Sequence, residues 1–248
     1  HVMSLKRRVL EALSASLFTD GASQQRAEFD AFVADRPHIA DYARFRAAGE
    51  HLGRPWQAWP EAARNGKLAP GDWDPTVERY HQYVQWLADQ QVGALSHRAE
   101  EGAAGLYFDL PLGVHASSYD TWRERRQFAM QVAAGAPPDA LFVQGQNWGF
   151  PPLHPAAARQ AGHSYFISVL RHHLRYARAL RLDHVMGLYR QYWVPAGFAA
   201  TDGVYVRYPA DELAAIVCLE SMRAKAVVVG ENLGTVPQKA DDLMARRG

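Results

Sequence analysis

With a single cysteine in 248 residues, the sequence has no means of building a disulfide framework. Cys218 sits in an apolar helical pattern with Leu213, Ile216, Val217 and Leu219, and is expected to be a buried, inert thiol. Net charge is also lacking: 27 basic and 26 acidic residues leave a formal +1, and the two signs are interspersed. Only four of the basic residues are lysines, and no basic stripe is present, so nucleic acid is not an expected partner. No apolar run approaches the ~18 residues of a membrane span, and no signal peptide precedes the first helical pattern. A cytoplasmic protein without a membrane partner is therefore expected. The familiar catalytic signatures are missing too. There is no HExxH or CxxC, no G-x-S-x-G, no P-loop and no GxGxxG. His172 and His173 are adjacent and face different directions on a helix. No metal or organic cofactor is expected.

The apolar residues that are present fall into two patterns. Over residues 4–98 they recur at helical spacing (Leu5, Val9, Leu10, Leu13, Leu17; then Phe29, Phe32, Val33), and Tyr80, Tyr83, Val84 and Leu87 mark a helix over 77–95. Between these, the segment 54–73 holds three of the seven tryptophans among Pro and Gly, and reads as a connector.

From residue 101 the pattern changes. Leu106–Leu110 is a short apolar run stopped by Pro111, as a buried strand would be. A long Gly-, Pro- and aromatic-rich loop is expected over 111–163. It is followed by a helix over 164–180 with Ile167, Leu170, Leu174 and Ala177 on one face, and by a strand over 180–185. A helix over 211–224, a strand over 226–230 and a further helix over 239–247 complete the series. Strands alternating with helices imply βα units and a parallel sheet. Polar residues stand at the C-terminal end of each strand: Asp109, Asp183-His184 and Glu231-Asn232. In parallel α/β folds that edge carries the chemistry.

Two of those ends hold groups suited to one reaction. Arg181 and Asp183 are two apart on a strand and so share a face, where the cation keeps the carboxylate ionised, as a carboxylate nucleophile requires. A structural ion pair fits the same residues. Glu231 closes the next strand, and neighbouring strands lie ~4.8 Å apart. Two such carboxylates can approach the ~5–5.5 Å of a retaining glycosidase pair. Read alone, Glu231 is equally an acidic residue opening the turn before Gly234. The aromatics Tyr165, Phe166, Tyr189, Tyr192 and Trp193 suit a core as well as a sugar platform.

Arg181-Leu182-Asp183-His184-Val185-Met186-Gly187, followed by Tyr192-Trp193-Val194-Pro195, resembles the nucleophile motif of the amylomaltase (4-α-glucanotransferase) family, glycoside hydrolase family 77. Val229-Gly230-Glu231-Asn232-Leu233-Gly234 resembles its acid/base motif, with Asn232 where the family pattern has Asp. Gly135-Ala136-Pro137-Pro138-Asp139, continuing to Gly145-Gln146-Asn147-Trp148-Gly149-Phe150-Pro151, is similar to the family's loop over the acceptor side. Phe108-Asp109-Leu110-Pro111 with Ser118-Tyr119-Asp120-Thr121-Trp122 matches the segment after its third strand. Gly203-Val204-Tyr205-Val206-Arg207-Tyr208 resembles a linker of longer bacterial members.

The resemblance implies an α/β fold that is part of a (β/α)8 TIM barrel, about strands three to five. A helical insertion subdomain would occupy residues 1–100 and a partial catalytic barrel 101–248. It implies a 4-α-glucanotransferase acting on maltooligosaccharides and glucose by retaining double displacement, with Asp183 as nucleophile and Glu231 as acid/base. Arg181 and His184 would serve the sugar site, Trp148 and Phe142 would stack the acceptor, and Asn232 would stand beside the acid/base. A structural role fits Phe142 equally. The remaining strands and a third carboxylate, in a later His-Asp motif, are absent from the chain, so the chain alone is expected to be inactive. An α-amylase-type hydrolase and a non-catalytic glucan-binding fragment are the competing readings.

Overall fold

The computed structural model describes residues 2–19, 23–232 and the single positions 238, 242, 245 and 246. The described chain divides into two compact units, residues 1–94 and 95–248. In the first, helices α1 (Val2–Thr19), α2 (Gln24–Asp35), α3 (Pro37–Leu52), α4 (Glu61–Arg64) and the start of α5 (Pro75–Glu101) follow one another. Their ends are set by local chemistry. The Ser23 hydroxyl accepts from the Arg26 N–H at the start of α2, Pro37 opens α3, and Gly53 closes it with a left-handed φ of 61°. Leu17, Phe29, Phe32, Tyr83 and Trp86 form the core of this unit.

The second unit is built on three parallel strands in the order β1–β4–β7: β1 (Leu106–Leu110), β4 (Ala177–Leu182) and β7 (Val227–Gly230). Between β1 and β4 lie α6 (Tyr119–Arg123), β2 (Val132–Ala136), β3 (Gln146–Asn147), α7 (Pro155–Gln160) and α8 (Ser164–Leu174). Between β4 and β7 come β5 (Arg190–Pro195), β6 (Val204–Arg207) and α9 (Ala210–Ala224). Strands β3–β2–β5–β6 make a separate antiparallel sheet.

Alternation along the parallel strands sorts their side chains. Leu110, Leu180 and Leu182 form one core with Leu170 and Leu174 of α8 and with Ala226, just before β7; Phe166, Val169, Ile216 and Val217 pack against it. Tyr107, Asp109, Arg181, Val227 and Val229 take the alternate positions. Leu180 is wholly inaccessible to solvent, so Leu180→Ala removes packing from both helices at once. It is expected to destabilise the protein by about 2–5 kcal/mol in a denaturant titration; a loss below ~1 kcal/mol would place the core elsewhere.

The structure corrects several sequence expectations. The segment 111–163 is not structureless, since two strands and two helices lie in it. The helix expected over 164–180 ends at Leu174, and Ala177, expected on its face, begins β4. That strand therefore starts and stops earlier than 180–185, leaving Asp183 to His184 just past its tip. Cys218 is half-buried rather than buried. The turn at Gly234 and the helix expected over 239–247 lie outside the continuously described residues.

Candidate active site

Past the strand ends the parallel ladder continues for one more step. The Asp183 N–H donates to the Leu110 carbonyl (3.1 Å), the Glu231 N–H to the Leu182 carbonyl (2.9 Å) and the Val185 N–H to the Glu231 carbonyl (3.2 Å). The backbones of both acidic residues are thus fixed at neighbouring strand tips by the sheet itself. His184, next to Asp183 in the chain, adopts a left-handed φ of 54°, uncommon for a residue with a side chain. Its N–H donates to Glu231 Oε2 at 2.7 Å.

Arg181 ties the carboxylates together. One of its nitrogens, Nη2, lies 3.0 Å from Asp183 Oδ1 and 3.2 Å from Glu231 Oε1. The two oxygens can therefore be no further apart than the sum of those contacts, a limit compatible with the ~5–5.5 Å of retaining pairs. The other nitrogen, Nη1, donates to both oxygens of Asp109, at 2.7 and 2.8 Å. Asp109 is the residue directly opposite Arg181 in the β1–β4 register. The guanidinium pKa is raised, chiefly by the Asp109 hydrogen bonds, so the hub stays cationic. Sequence reading placed Asp109 at a strand end but not in the site; the missing signal was the cross-strand register, which pairs it with Arg181.

Asp183, Glu231 and His184 open into a cleft of about 860 Å³ that Trp148 and Phe142 also line. Trp148 meets the His184 ring edge-on, with centroids 5.3 Å apart, and stacks on Phe150 at 6.1 Å. Phe142 is half exposed on a short turn. Asp139 Oδ1 builds that turn by accepting from the N–H groups of Leu141 (2.8 Å) and Phe142 (2.6 Å). Gly135, in β2, lines the cleft where any Cβ would fall 2.1 Å from the Gln146 carbonyl oxygen, so β3 can close against β2 only with glycine there. Asn232 is exposed and is not among the residues lining this cleft. A smaller, apolar cavity of about 100 Å³ also touches Asp183 and His184 but not Glu231; only the larger one is lined by both carboxylates.

Burial pushes the His184 imidazole below the usual histidine range, opposed by the nearby Glu231 and Asp183 carboxylates. The folded state therefore resists protonation that the unfolded chain accepts near pH 6.5. Stability from this group is complete above about pH 6.5 and falls as the pH drops towards the folded pKa. His81, in the first unit, is shifted the same way by burial, so the difference between parent and variant isolates the His184 share. We expect His184→Gln to flatten part of the loss of Tm between pH 7 and pH 5. Parallel Tm profiles for the two proteins would refute the assignment.

The chain has counterparts among known proteins. The family model described as 4-alpha-glucanotransferase matches residues 1–248. A 4-alpha-glucanotransferase of Mycobacterium tuberculosis is 37% identical over 216 residues, covering 85% of this chain and 30% of the relative. The amylomaltase of Corynebacterium glutamicum superposes with a TM-score of 0.83 at 30% identity, over 98% of this chain and 33% of that one. An amylomaltase of Streptococcus agalactiae, solved in complex with acarbose, shares the fold with a TM-score of 0.87 at 23% identity, over 98% of this chain and 51% of that one. This chain thus spans a third to a half of those solved chains, and its three parallel strands are part of a (β/α)8 barrel. Matched by the family model along its whole length, the chain belongs to the 4-alpha-glucanotransferase family.

Proposed function

We propose that this chain carries the nucleophile and the acid/base of a retaining 4-α-glucanotransferase. The observation that supports it most is the single guanidinium nitrogen touching both Asp183 and Glu231 in an aromatic-walled cleft. Asp183 attacks the anomeric carbon of an α-1,4-glucan while Glu231 protonates the departing glycosidic oxygen, leaving a glycosyl ester on Asp183. Glu231, now a carboxylate, takes the proton of an acceptor 4-hydroxyl, which displaces Asp183 and restores the α-linkage. Both Glu231 oxygens face donors, Arg181 and the His184 N–H, which suits the carboxylate that acts as the base. The acid half-reaction requires Arg181 to release Oε1 as the sugar enters.

Transfer rather than hydrolysis follows from the acceptor wall. Trp148 and Phe142 offer apolar surface to a sugar and little to water, so an acceptor ring displaces solvent from the glycosyl-enzyme. Glucose and maltooligosaccharides are the proposed acceptors, and no nucleic acid or membrane is involved. Among the described residues no helix is long and apolar enough to cross a membrane. A cytoplasmic location is proposed on the strength of the lone, unpaired cysteine. The full-length protein incubated with maltotriose should yield both longer and shorter glucans. Shortening alone would establish a hydrolase, and binding without turnover would establish a glucan-binding protein.

A further inference from the structure

We propose that Phe150 is a positioning residue for acceptor use: it holds the Trp148 ring in place beside His184 and so favours transfer over hydrolysis. The inference rests on the glucan-transfer reading above and goes beyond it by assigning acceptor selectivity to a residue outside the carboxylate motifs. Trp148 and Phe150 are anchored through one residue of β2. The Trp148 N–H donates to the Ala134 carbonyl at 2.9 Å, and the Ala134 N–H donates to the Phe150 carbonyl at 2.9 Å. Ala134 itself is inaccessible to solvent. Between the two aromatics, Gly149 takes a left-handed φ of 75°, a conformation that favours glycine. Its N–H donates to Asn147 Oδ1 at 2.9 Å. In this turn the Trp148 and Phe150 rings stack with 20° between their planes.

Phe150 is backed by main chain. Gly113, three residues past the end of β1, comes so close that a Cβ there would fall 2.2 Å from Phe150 Cδ2. Trp148 in turn meets the His184 ring edge-on, at 83°, and its indole N–H donates to Gln146 Oε1 at 3.3 Å. A row of contacts therefore runs from Gly113 through Phe150 and Trp148 to His184, whose N–H holds the Glu231 carboxylate. All of these residues line the cleft that contains Asp183. In transfer, the ester bond from Asp183 to the anomeric carbon gives way to a bond from the acceptor 4-oxygen, and Glu231 takes that hydroxyl's proton. In hydrolysis, water supplies both the oxygen and the proton. A sugar resting on Trp148 reaches the anomeric carbon only if the ring is correctly placed, and an error of about 1 Å can cost roughly a hundredfold. Water needs no such wall. Loosening Trp148 therefore penalises the sugar and spares the water.

The test uses the full-length protein with maltosyl fluoride as donor and glucose as acceptor. Initial rates give the ratio of maltotriose formed by transfer to maltose released by hydrolysis. Phe150→Leu, which keeps an apolar side chain but not the ring, should lower that ratio about threefold to tenfold. Gly113→Ala, which displaces the Phe150 ring from behind, should lower it too, and serves as the same test if the Leu variant does not fold. In a Trp148→Ala background neither change should lower the ratio further, because Phe150 acts through the Trp148 ring. A folded Leu or Ala variant with the parent's ratio, or an undiminished loss in the Trp148→Ala background, would overturn the positioning role while leaving glucan transfer intact. A parent protein that transfers no glucan would overturn both.

Discussion

Asp183→Asn should lower glucan transfer by at least about 10⁴-fold, the scale on which enzymes lose activity when a covalent nucleophile is removed. The amide is nearly isosteric and can still accept from Arg181, whose contact to Oδ1 is 3.0 Å. The fold should therefore survive, because the Asp183 backbone N–H on the Leu110 carbonyl is unaffected. The measurement is initial-rate disproportionation of maltotriose, with a melting curve to confirm folding. Substrate affinity should change far less than turnover. A variant that keeps more than about a hundredth of the activity would show that Asp183 is a structural strand-end acid and that the chemistry lies elsewhere.

The second large effect is expected at Arg181. Replacing it by Gln removes the cation that three carboxylates share, Asp109, Asp183 and Glu231. Unscreened like charges at this separation resist ionising together. Transfer should fall by about 10²–10³-fold, comparable to losing one preorganised electrostatic contact in an active site. Arg181→Lys should recover only part of the rate, since an ammonium lacks the planar fork that spans Asp109 on one side and Asp183 with Glu231 on the other. A Gln variant with the parent's transfer rate would contradict the role given to this residue.

These residues were legible in the sequence to different degrees. Asp183 and Glu231 could be found because short β-branched or leucine-rich runs ending in a polar residue announce a parallel strand and its functional tip. Arg181 could be paired with Asp183 from a spacing of two. Its contacts to Asp109 and Glu231 depend on which strands become neighbours, and local sequence does not encode that. The antiparallel sheet was missed for a related reason. Val132–Ala136 contains three alanines and a glycine, and Arg190–Pro195 mixes charged, polar and aromatic residues. Neither has the apolar content of a buried strand; both become strands through pairing with each other. The end of α8 was misjudged because Arg175, Tyr176 and Ala177 continue a helical period, and only the tertiary pairing of Ala177 with Leu106 makes that stretch a strand.

The central claim is that Asp183 becomes covalently glycosylated while Glu231 handles the proton. A glycosyl fluoride donor needs no protonation of its leaving group, so a Glu231→Gln protein should still form the intermediate from maltosyl fluoride but resolve it slowly, lacking the base. Intact-mass measurement followed by peptide mapping is the direct test. The expected result is loss of fluoride and a mass increase of one maltosyl group, confined to the peptide containing Asp183. A label on any other side chain, or no accumulated adduct while transfer from the fluoride proceeds, would contradict it.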